Sequence, residues 1–248
     1  LNGTEYTEVV NTFNKDDALT KVQIFGDLGV SYYYDNLGRL DYKSLNHVIP
    51  IFYEYLTNGR RTSLLINKIK IENDVYSYKY DKLDNITHIY YNGVLENRYY
   101  YDDYNELIKE DNYILNKTIK YTYDSLGNLL SKKVYELGTN NLVAQDSYQY
   151  NNSNWKDQLT KFNNDIITYD AIGNPLTIGE NITLDWVNGR QLNQYVDANN
   201  TVEYQYNKDG IRTSKTINNV KTEYYVEGTS IIFEKTGNDV LYYIRNEV

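Results

Sequence analysis

The sequence predicts an all-β protein made of consecutive antiparallel β-hairpins that lie side by side in sequence order. Three observations lead to this prediction. Tyrosine supplies 30 of the 248 residues, pairs of aromatic residues recur two positions apart, and a turn signature follows these pairs at a nearly constant distance. Residues two apart in an extended chain point to the same face of a sheet, and aromatic residues favour strands. Helical periodicity is hard to find anywhere in the chain.

The stretch 121–129 shows one complete unit. Tyr121 and Tyr123 lie two apart, so they share one face of a strand. Asp124 is suited to open a type I turn, because its side chain can accept a hydrogen bond from the backbone two residues on. Gly127 supplies the positive φ that closes such a turn with a bulge, and the return strand begins two residues later.

This unit recurs along the whole chain. We take the second residue of each strand-end pair as a marker. The markers are Phe13, Tyr34, Tyr55, Tyr80, Tyr101, Tyr123, Tyr150, Tyr169, Trp186, Tyr206, Val226 and Tyr243. They cover 230 residues in eleven steps, so a unit has about 21 residues. Units this small need their neighbours to bury a face. We therefore expect residues 1–248 to form a single array of about twelve hairpins, and a sheet this long to curl into part of a spiral shell or a barrel.

The position four residues after the marker is the sharper test of the repeat, because the turn needs a residue there that tolerates positive φ. Nine of the twelve units meet this need with glycine, asparagine or aspartate. The residues are Gly38, Gly59, Gly127, Gly173, Gly210, Asp17, Asp84, Asn105 and Asn154. In the unit of Trp186, Asn188-Gly189 comes one residue early and predicts a two-residue type I′ turn. The unit of Val226 is also shifted, with a glycine at Gly228.

Composition and charge exclude several functions. The net charge of −9 and the pI near 4.8 disfavour nucleic acid as a partner, because phosphate binding relies on a basic surface. The absence of cysteine excludes disulfides, thiolate zinc sites and a cysteine nucleophile. No apolar run approaches the roughly 18 residues of a membrane span. A chain that begins at Leu1 and contains no methionine suggests a segment of a longer polypeptide, with any export signal outside it.

The repeated motif resembles the YD-repeat, or Rhs-repeat, family, whose core is Tyr-Asp-x-x-Gly-Asn/Arg. The matching segments are 32–40 (YYYDNLGRL), 78–86, 99–107, 121–129 and 168–176 (TYDAIGNPL). The resemblance covers essentially the whole chain. The last fifth, from 204–215 to 242–245, is similar to the stretch just upstream of the family's Rhs-associated core.

This resemblance implies a fold, a location and partners. Repeats of the family form a β-hairpin strip that spirals into a hollow shell around a toxic C-terminal domain, in secreted or cell-surface bacterial proteins; teneurins carry similar repeats. The Rhs-associated core plugs the shell and, in several members, releases the toxin with aspartates. The chain contains no Asp-Pro dipeptide and ends without that proteolytic segment. The resemblance therefore implies the shell, with the toxin domain and the Rhs-associated core as partners, and not the protease.

Few residues in the sequence are candidates for catalysis or metal binding. His47 and His88 are the only histidines, and each stands alone in an apolar or strand-like context, which favours a structural or surface role. The pairs Asp16-Asp17 and Asp102-Asp103 suit a catalytic dyad or calcium ligands, but their turn positions explain the acids without either. No nucleophile elbow, histidine pair or phosphate loop is present. We therefore expect no catalytic residue, no cofactor and no metal site.

Two other functions remain open at this stage. A face of regularly spaced tyrosines suits a carbohydrate-binding or adhesion module, although the period-two spacing favours tyrosines that tile the sheet and stack between neighbouring units. A glycoside hydrolase on a β array would need two converging carboxylates. Exposed end strands also make edge-to-edge self-association plausible.

Overall fold

The computed structural model describes residues 10–25, 28–46, 48–58 and 61–243. These residues form 23 β-strands and no helix, so the all-β prediction is confirmed. The described residues separate into two compact units: those within 10–121 and 133–144 make the first, and those within 122–132 and 145–243 make the second. No helix in the described ranges is long and apolar enough to cross a lipid bilayer.

The strands follow one another with short connections. The first eleven are β1 (Val10–Phe13), β2 (Leu19–Phe25), β3 (Leu28–Tyr34), β4 (Leu40–Leu45), β5 (Ile49–Asn58), β6 (Arg61–Ile71), β7 (Asp74–Tyr80), β8 (Ile86–Tyr91), β9 (Val94–Tyr101), β10 (Leu107–Asn112) and β11 (Lys117–Tyr123). The other twelve are β12 (Leu129–Glu136), β13 (Leu142–Gln149), β14 (Lys161–Phe162), β15 (Asp165–Tyr169), β16 (Pro175–Ile178), β17 (Ile182–Val187), β18 (Gln191–Val196), β19 (Thr201–Tyr206), β20 (Arg212–Ile217), β21 (Val220–Glu227), β22 (Ser230–Thr236) and β23 (Asp239–Tyr242).

In the first unit, each strand from β1 to β11 pairs antiparallel with the next one in sequence. The register across β7–β11 is direct: Lys79 lies opposite His88, His88 opposite Arg98, and Arg98 opposite Asp111. Opposed residues share a face of the sheet. This register therefore forms a row of side chains across the strands, on the face away from the markers.

In the second unit, the strands from β13 to β23 pair in the same consecutive, antiparallel way. Pro175 is the first residue of β16, a position where a strand tolerates the missing N–H. Consecutive pairing is what the repeat of hairpins predicts.

The apolar core is thin. In the first unit, Leu19, Val22, Val30 and Tyr32 are buried, and Tyr34, Leu40 and Leu45 pack against them. No large side chain of the described residues is completely buried. With so few aliphatic residues, half-buried tyrosines and backbone hydrogen bonds replace a thick core.

Candidate functional site

The candidate site is the repeated turn with the contacts that neighbouring units make around it. At Asp124, one carboxylate oxygen accepts hydrogen bonds from the backbone N–H groups of Leu126 (2.8 Å) and Asn128 (3.0 Å). The Asn128 side chain donates to the other carboxylate oxygen (2.9 Å). The N–H of Gly127 donates to the Asp124 carbonyl (3.1 Å), and Gly127 has a φ of 81°. The turn proposed from the sequence is therefore present, with the amide of Asn128 as an additional partner.

The same two backbone hydrogen bonds, from residues two and four positions later, recur in six other units. The accepting residues are Asn14, Asp35, Asp81, Asp102, Asp170 and Asn207. In all six of these units the strand register shifts at or beside the marker, at Phe13, Tyr34, Tyr80, Tyr101, Tyr169 and Tyr206. These shifts are the bulges that the turn type predicts.

Positive φ is found at seven of the nine predicted positions. They are Asp17 (58°), Gly38 (76°), Asp84 (66°), Asn105 (69°), Gly127 (81°), Gly173 (87°) and Gly210 (80°). Gly59 lies outside the described residues. The prediction for Asn154 is wrong. Its N–H and that of Trp155 both donate to the Asn152 side chain, so this loop turns one residue later than the repeat implies.

The connections in the units of Trp186 and Val226 differ from the repeated turn. Asn188 and Gly189 both have positive φ (49° and 88°), as a type I′ turn requires. The strands, however, pair Val187 with Gln191, so three residues connect them and not two. In the unit of Val226, Gly228 has a φ of 58° and the connection has two residues.

The turn aspartates are held in their charged form by these contacts. The side-chain hydrogen bond from Asn128 and then its backbone N–H lower the pKa of Asp124. The side-chain bond from Asn85 does the same for the pKa of Asp81. At Asp170, burial raises the pKa, but the hydrogen bonds from Asn174 and Ile172 outweigh it. Each of these carboxylates therefore serves as the hydrogen-bond acceptor of its own turn.

Six of the marker tyrosines join their hairpin to the one before it through a hydrogen bond. The hydroxyls of Tyr34, Tyr55, Tyr80, Tyr101, Tyr169 and Tyr206 donate to the carbonyls of Leu19, Leu40, Ile66, Ile86, Leu159 and Leu192, at 2.5–3.0 Å. Trp186 does the same with its ring N–H, to the carbonyl of Pro175 (2.7 Å). Burial raises the pKa of Tyr80 and of Tyr101, which keeps both hydroxyls as donors.

Ring stacking occurs elsewhere than predicted. The sequence suggested ladders of Tyr-x-Tyr pairs on the marker face, but Tyr34, Tyr80 and Tyr101 use their hydroxyls and form no ring pair with another described residue. The close parallel stacks lie on the opposite face. Tyr33 stacks on Tyr42 in the first unit with centroids 4.0 Å apart, and Tyr225 stacks on Phe233 in the second at 4.1 Å.

A third recurring contact was not predicted from the sequence. At the end of the hairpins away from the marker turn, asparagine side chains accept a hydrogen bond from a backbone N–H 16 or 17 residues earlier. The pairs are Asn46 with Gly29, Asn92 with Val75, Asn163 with Ser147 and Asn218 with Thr201, at 2.8–2.9 Å. All four asparagines have positive φ. The dipeptide Asn92-Gly93 is a type I′ signal and is where the sequence could have shown this turn.

Cationic side chains line the face opposite the markers in the first unit. We call Lys79, Arg98, Lys109 and Lys120 the basic strip. Lys79 lies over the ring of Tyr90, Arg98 and Lys109 over Tyr100, and Lys120 over Tyr135, at 4.5–5.0 Å from the ring centroids. Asp111, buried beneath them, accepts from Lys109 (2.9 Å), Tyr100 (3.1 Å) and Thr118 (2.7 Å).

His88 lies beside the basic strip. Its ring stands 6.0 Å from Tyr90, and Nδ1 is 3.0 Å from the Thr87 hydroxyl. Burial, followed by the charges of Arg98 and Lys79, lowers the pKa of His88, so the ring is neutral near pH 7. A pocket of about 410 Å³ adjoins it and is lined by Tyr80, Asp81, Leu83, Thr87, His88, Arg98, Tyr99, Tyr100, Tyr101, Asp102 and Asn105.

The other candidate residues do not assemble a reactive centre in the described part of the chain. Asp16 and Asp17 are exposed in their turn, and Asp102 accepts from the backbone N–H groups of Tyr104 and Glu106. No group of three or more acidic or histidine side chains in the described ranges is placed to hold a metal ion. His47 lies outside those ranges.

Sequence comparison finds two curated relatives. The chain is 31% identical over 134 residues to the tRNA nuclease WapA of Bacillus subtilis (strain 168) and, equally, to the tRNA3(Ser)-specific nuclease WapA of Bacillus spizizenii. The match covers 53% of this chain and 5% of each relative, so the chain spans a small part of their length. No family model matches the chain.

Structure comparison matches most of the chain. The crystal structures of TcdB2-TccC3-Cdc42, TcdB2-TccC3 and TcdB2-TccC3-TEV superpose with TM-scores of 0.70, 0.65 and 0.59. They cover 92%, 92% and 91% of this chain and 13%, 14% and 15% of the matched chains, at 16–18% identity. At this identity the likeness shows a shared fold.

Proposed function

We propose that this chain, which resembles the YD-repeat, or Rhs-repeat, family in its repeated motif and shares its fold with the matched structures, acts as a structural shell segment without chemistry of its own. Residues 1–248 work as one repeat array of a secreted or cell-surface protein. The array encloses or presents a C-terminal toxin domain. The observation that carries the proposal is the repeated use of marker rings as connectors between hairpins, which makes a wall out of small units.

The absence of a catalytic role is supported by how the polar residues are used. The acids in the repeated turns accept backbone hydrogen bonds, and the marker hydroxyls donate to backbone carbonyls. The curated relatives are named as tRNA nucleases, and this chain matches about one twentieth of their length. We assign no catalytic residue, cofactor or metal to residues 1–248.

Carbohydrate binding by the marker tyrosines is less well supported than the shell. Stacking on a sugar needs a free ring face and is helped by free hydroxyls. Tyr34, Tyr80 and Tyr101 are half-buried, with their hydroxyls bonded to backbone carbonyls. These three tyrosines therefore hold neighbouring hairpins together, which is a structural role.

Enclosure is tested by limited proteolysis of the natural polypeptide that contains this chain. We expect the domain that follows the array to resist a protease that digests the same domain expressed alone. Equal digestion rates in the two contexts would contradict enclosure. The non-enzymatic assignment has its own test: purified residues 1–248 should leave tRNA intact, and cleavage that persists after a second purification step would overturn it.

A further inference from the structure

Three neighbouring hairpin ends of the first unit expose apolar side chains along the rim that the strand ends form. They lie away from the marker turns, where residues 92–93, 113–116 and 137–141 connect β8 to β9, β10 to β11 and β12 to β13. The apolar side chains are Val94, Tyr113, Ile114, Leu115, Leu142 and Val143, each between 42% and 69% exposed. We call these six residues the apolar tip.

Backbone hydrogen bonds hold these three hairpin ends side by side. The N–H of Tyr113 donates to the carbonyl of Glu96 (2.8 Å), which joins the first end to the second. The N–H of Leu137 donates to the carbonyl of Asn116 (3.2 Å), which joins the second end to the third. Neighbouring strands lie about 4.8 Å apart, so the six strands cover roughly 25 Å of the rim. The apolar tip is therefore one patch and not a set of scattered residues.

The apolar tip carries no charge, although the chain is rich in charged residues. Residues 92–95, 112–116 and 137–144 contain no acidic residue, lysine, arginine or histidine, whereas 24% of the whole chain is charged and its net charge is −9. The exposed carboxylate of Glu136 lies at the border of the patch, where it accepts a hydrogen bond from the Asn141 side chain (2.8 Å). An apolar centre with a polar border is the usual organisation of a protein–protein interface.

We propose that two copies of this chain associate through the apolar tip as a symmetric dimer. A twofold axis sets the same patch of both copies against each other. Half-exposed side chains of this size present roughly 100 Å² each, so the six residues offer on the order of 600 Å² per copy, a size at which exposed patches are often functional. Two such patches bury about 1,200 Å² in total, the lower limit of a specific interface, so we expect a dissociation constant of about 10 µM.

The charge distribution directs the contact between copies to this part of the first unit. Two copies with a net charge of −9 repel each other, and the repulsion is smallest where neither copy carries charge. The uncharged apolar tip meets that condition. Because salt screens the remaining repulsion between the two copies, the dimer should become stronger as the salt concentration rises.

A lipid surface fits the apolar tip less well than a second copy does. The turns place backbone polar groups and the exposed side chains of Asn116 and Asn140 beside the apolar residues. Hydrocarbon leaves such groups without hydrogen-bond partners, whereas a second copy brings the same donors and acceptors to the interface.

The rim formed by the marker turns is also a weaker candidate for this contact. Leu37 and Leu83 are exposed there, but each is a single apolar residue in a turn that begins with an aspartate, at Asp35 and Asp81. Apolar residues that are exposed singly are normal on protein surfaces. Leu37 and Leu83 therefore supply a matched control in the same unit.

Sedimentation equilibrium of residues 1–248, at concentrations from about 1 to about 200 µM, measures the association directly. We expect a monomer–dimer equilibrium that shifts toward the dimer when salt is raised from about 0.05 to about 0.5 M. Ile114→Ser/Leu115→Ser removes two apolar side chains from each side of the interface and should weaken the dimer at least about tenfold. The control Leu37→Ser/Leu83→Ser removes two exposed aliphatic side chains from the marker rim and should weaken it less than about twofold.

Several outcomes would overturn the proposal. A wild-type chain that stays monomeric over the whole range would do so, and its binding to phosphatidylcholine vesicles would then assign the apolar tip to lipid. Equal dimerisation of the wild type and Ile114→Ser/Leu115→Ser would place the contact elsewhere, as pairing of the end strands would. Assemblies that grow beyond a dimer, or a dimer that does not strengthen with salt, would also contradict it.

A second variant covers the case in which the first one does not fold. If circular dichroism shows that Ile114→Ser/Leu115→Ser is unfolded, Val94→Ser/Leu142→Ser decides, because these residues lie on the two flanking hairpin ends. We expect this variant to weaken the dimer at least about threefold against the same Leu37→Ser/Leu83→Ser control. An equal effect in these two variants would overturn the assignment of the interface to the apolar tip.

Discussion

The hydroxyl of Tyr101 donates a 3.0 Å hydrogen bond to the backbone carbonyl of Ile86, the first residue of the return strand in the preceding unit. Ile86 lies six residues after the marker Tyr80, which itself donates to the carbonyl of Ile66. These two markers therefore connect their hairpins to the one before, as Tyr34, Tyr55, Tyr169, Trp186 and Tyr206 also do. A wall built in this way depends on contacts between sequence neighbours more than on a common core.

The Tyr101 connector predicts a specific loss of stability. Tyr101→Phe keeps the ring but removes the donor, which should lower the free energy of unfolding by about 1 kcal/mol. Urea unfolding followed by circular dichroism measures it. Tyr104 is 86% exposed and provides the control: Tyr104→Phe should change stability by less than about 0.5 kcal/mol. Equal losses of unfolding free energy in Tyr101→Phe and Tyr104→Phe would contradict the role of Tyr101 as a connector.

The turn glycines predict a graded response to alanine. Gly38 has a φ of 76° and open space around the added methyl, so Gly38→Ala should cost about 1 kcal/mol from backbone strain alone. At Gly173, φ is 87° and the methyl would lie 2.4 Å from the Trp155 ring, which must move and should add about 1 kcal/mol. Thermal unfolding gives the two losses, and tryptophan emission should change only in Gly173→Ala. Identical losses would contradict the Trp155 contact.

The turn requires positive φ at Gly127 and not at Asn128, so on backbone strain alone Gly127→Val should destabilise the protein more than Asn128→Val. The structure gives the Asn128 amide a 2.9 Å bond to the Asp124 carboxylate, so its loss removes a charge-assisted contact. Ser125, which is exposed in the same turn, is the better control: Ser125→Ala should change stability by less than about 0.5 kcal/mol.

The asparagine at the other hairpin end predicts that glycine is tolerated better than alanine. Asn92 has a φ of 48°, and its side chain accepts from the Val75 N–H at 2.8 Å. Asn92→Gly keeps the backbone conformation but loses the acceptor, at about 1 kcal/mol. Asn92→Ala adds backbone strain and should cost about 2 kcal/mol in all. Urea unfolding that ranks alanine above glycine would contradict this account.

The turn aspartates predict acid sensitivity. Hydrogen bonds lower the pKa of Asp124 and of Asp81 in the folded chain. Their contribution to stability is fully present above the unfolded pKa of about 4 and is lost as pH falls through the folded values. Unfolding curves between pH 7 and pH 2 should show this decline below about pH 4, and Asp124→Asn should flatten it while lowering stability at pH 7. An unchanged slope in Asp124→Asn would contradict the role of its charge.

The marker turn was predictable because its determinants are local. Asp124 and Gly127 lie within four residues of each other, and the side chain, the backbone donors and the positive φ all belong to that segment. The same locality explains the error at Asn154. There the capping side chain is Asn152, one position later than the repeat expects, and the marker spacing carries no signal of that shift.

Contacts between hairpins were not predictable in the same way. The destination of the Tyr101 hydroxyl depends on the register of two strands that lie 15 residues apart. Lys79, Arg98 and Lys120 are scattered in sequence among acidic neighbours, and only the pairing of β7–β11 assembles them on one face. Register depends on bulges and turn lengths, and a one-residue slip would move each side chain to the other face.

Cross-linking of introduced cysteines tests the central claim, that each strand pairs with its sequence neighbour, most directly. The chain has no native cysteine, so any disulfide reports the introduced pair. Glu203 and Thr216 lie directly opposite each other on β19 and β20, at a Cα separation of about 4.5–5.5 Å that a disulfide spans. We predict that Glu203→Cys/Thr216→Cys forms an intramolecular disulfide under mild oxidation, whereas Glu203→Cys/Lys235→Cys, on strands three apart, does not. Efficient cross-linking of the distant pair with none in the adjacent pair would contradict the consecutive hairpin array.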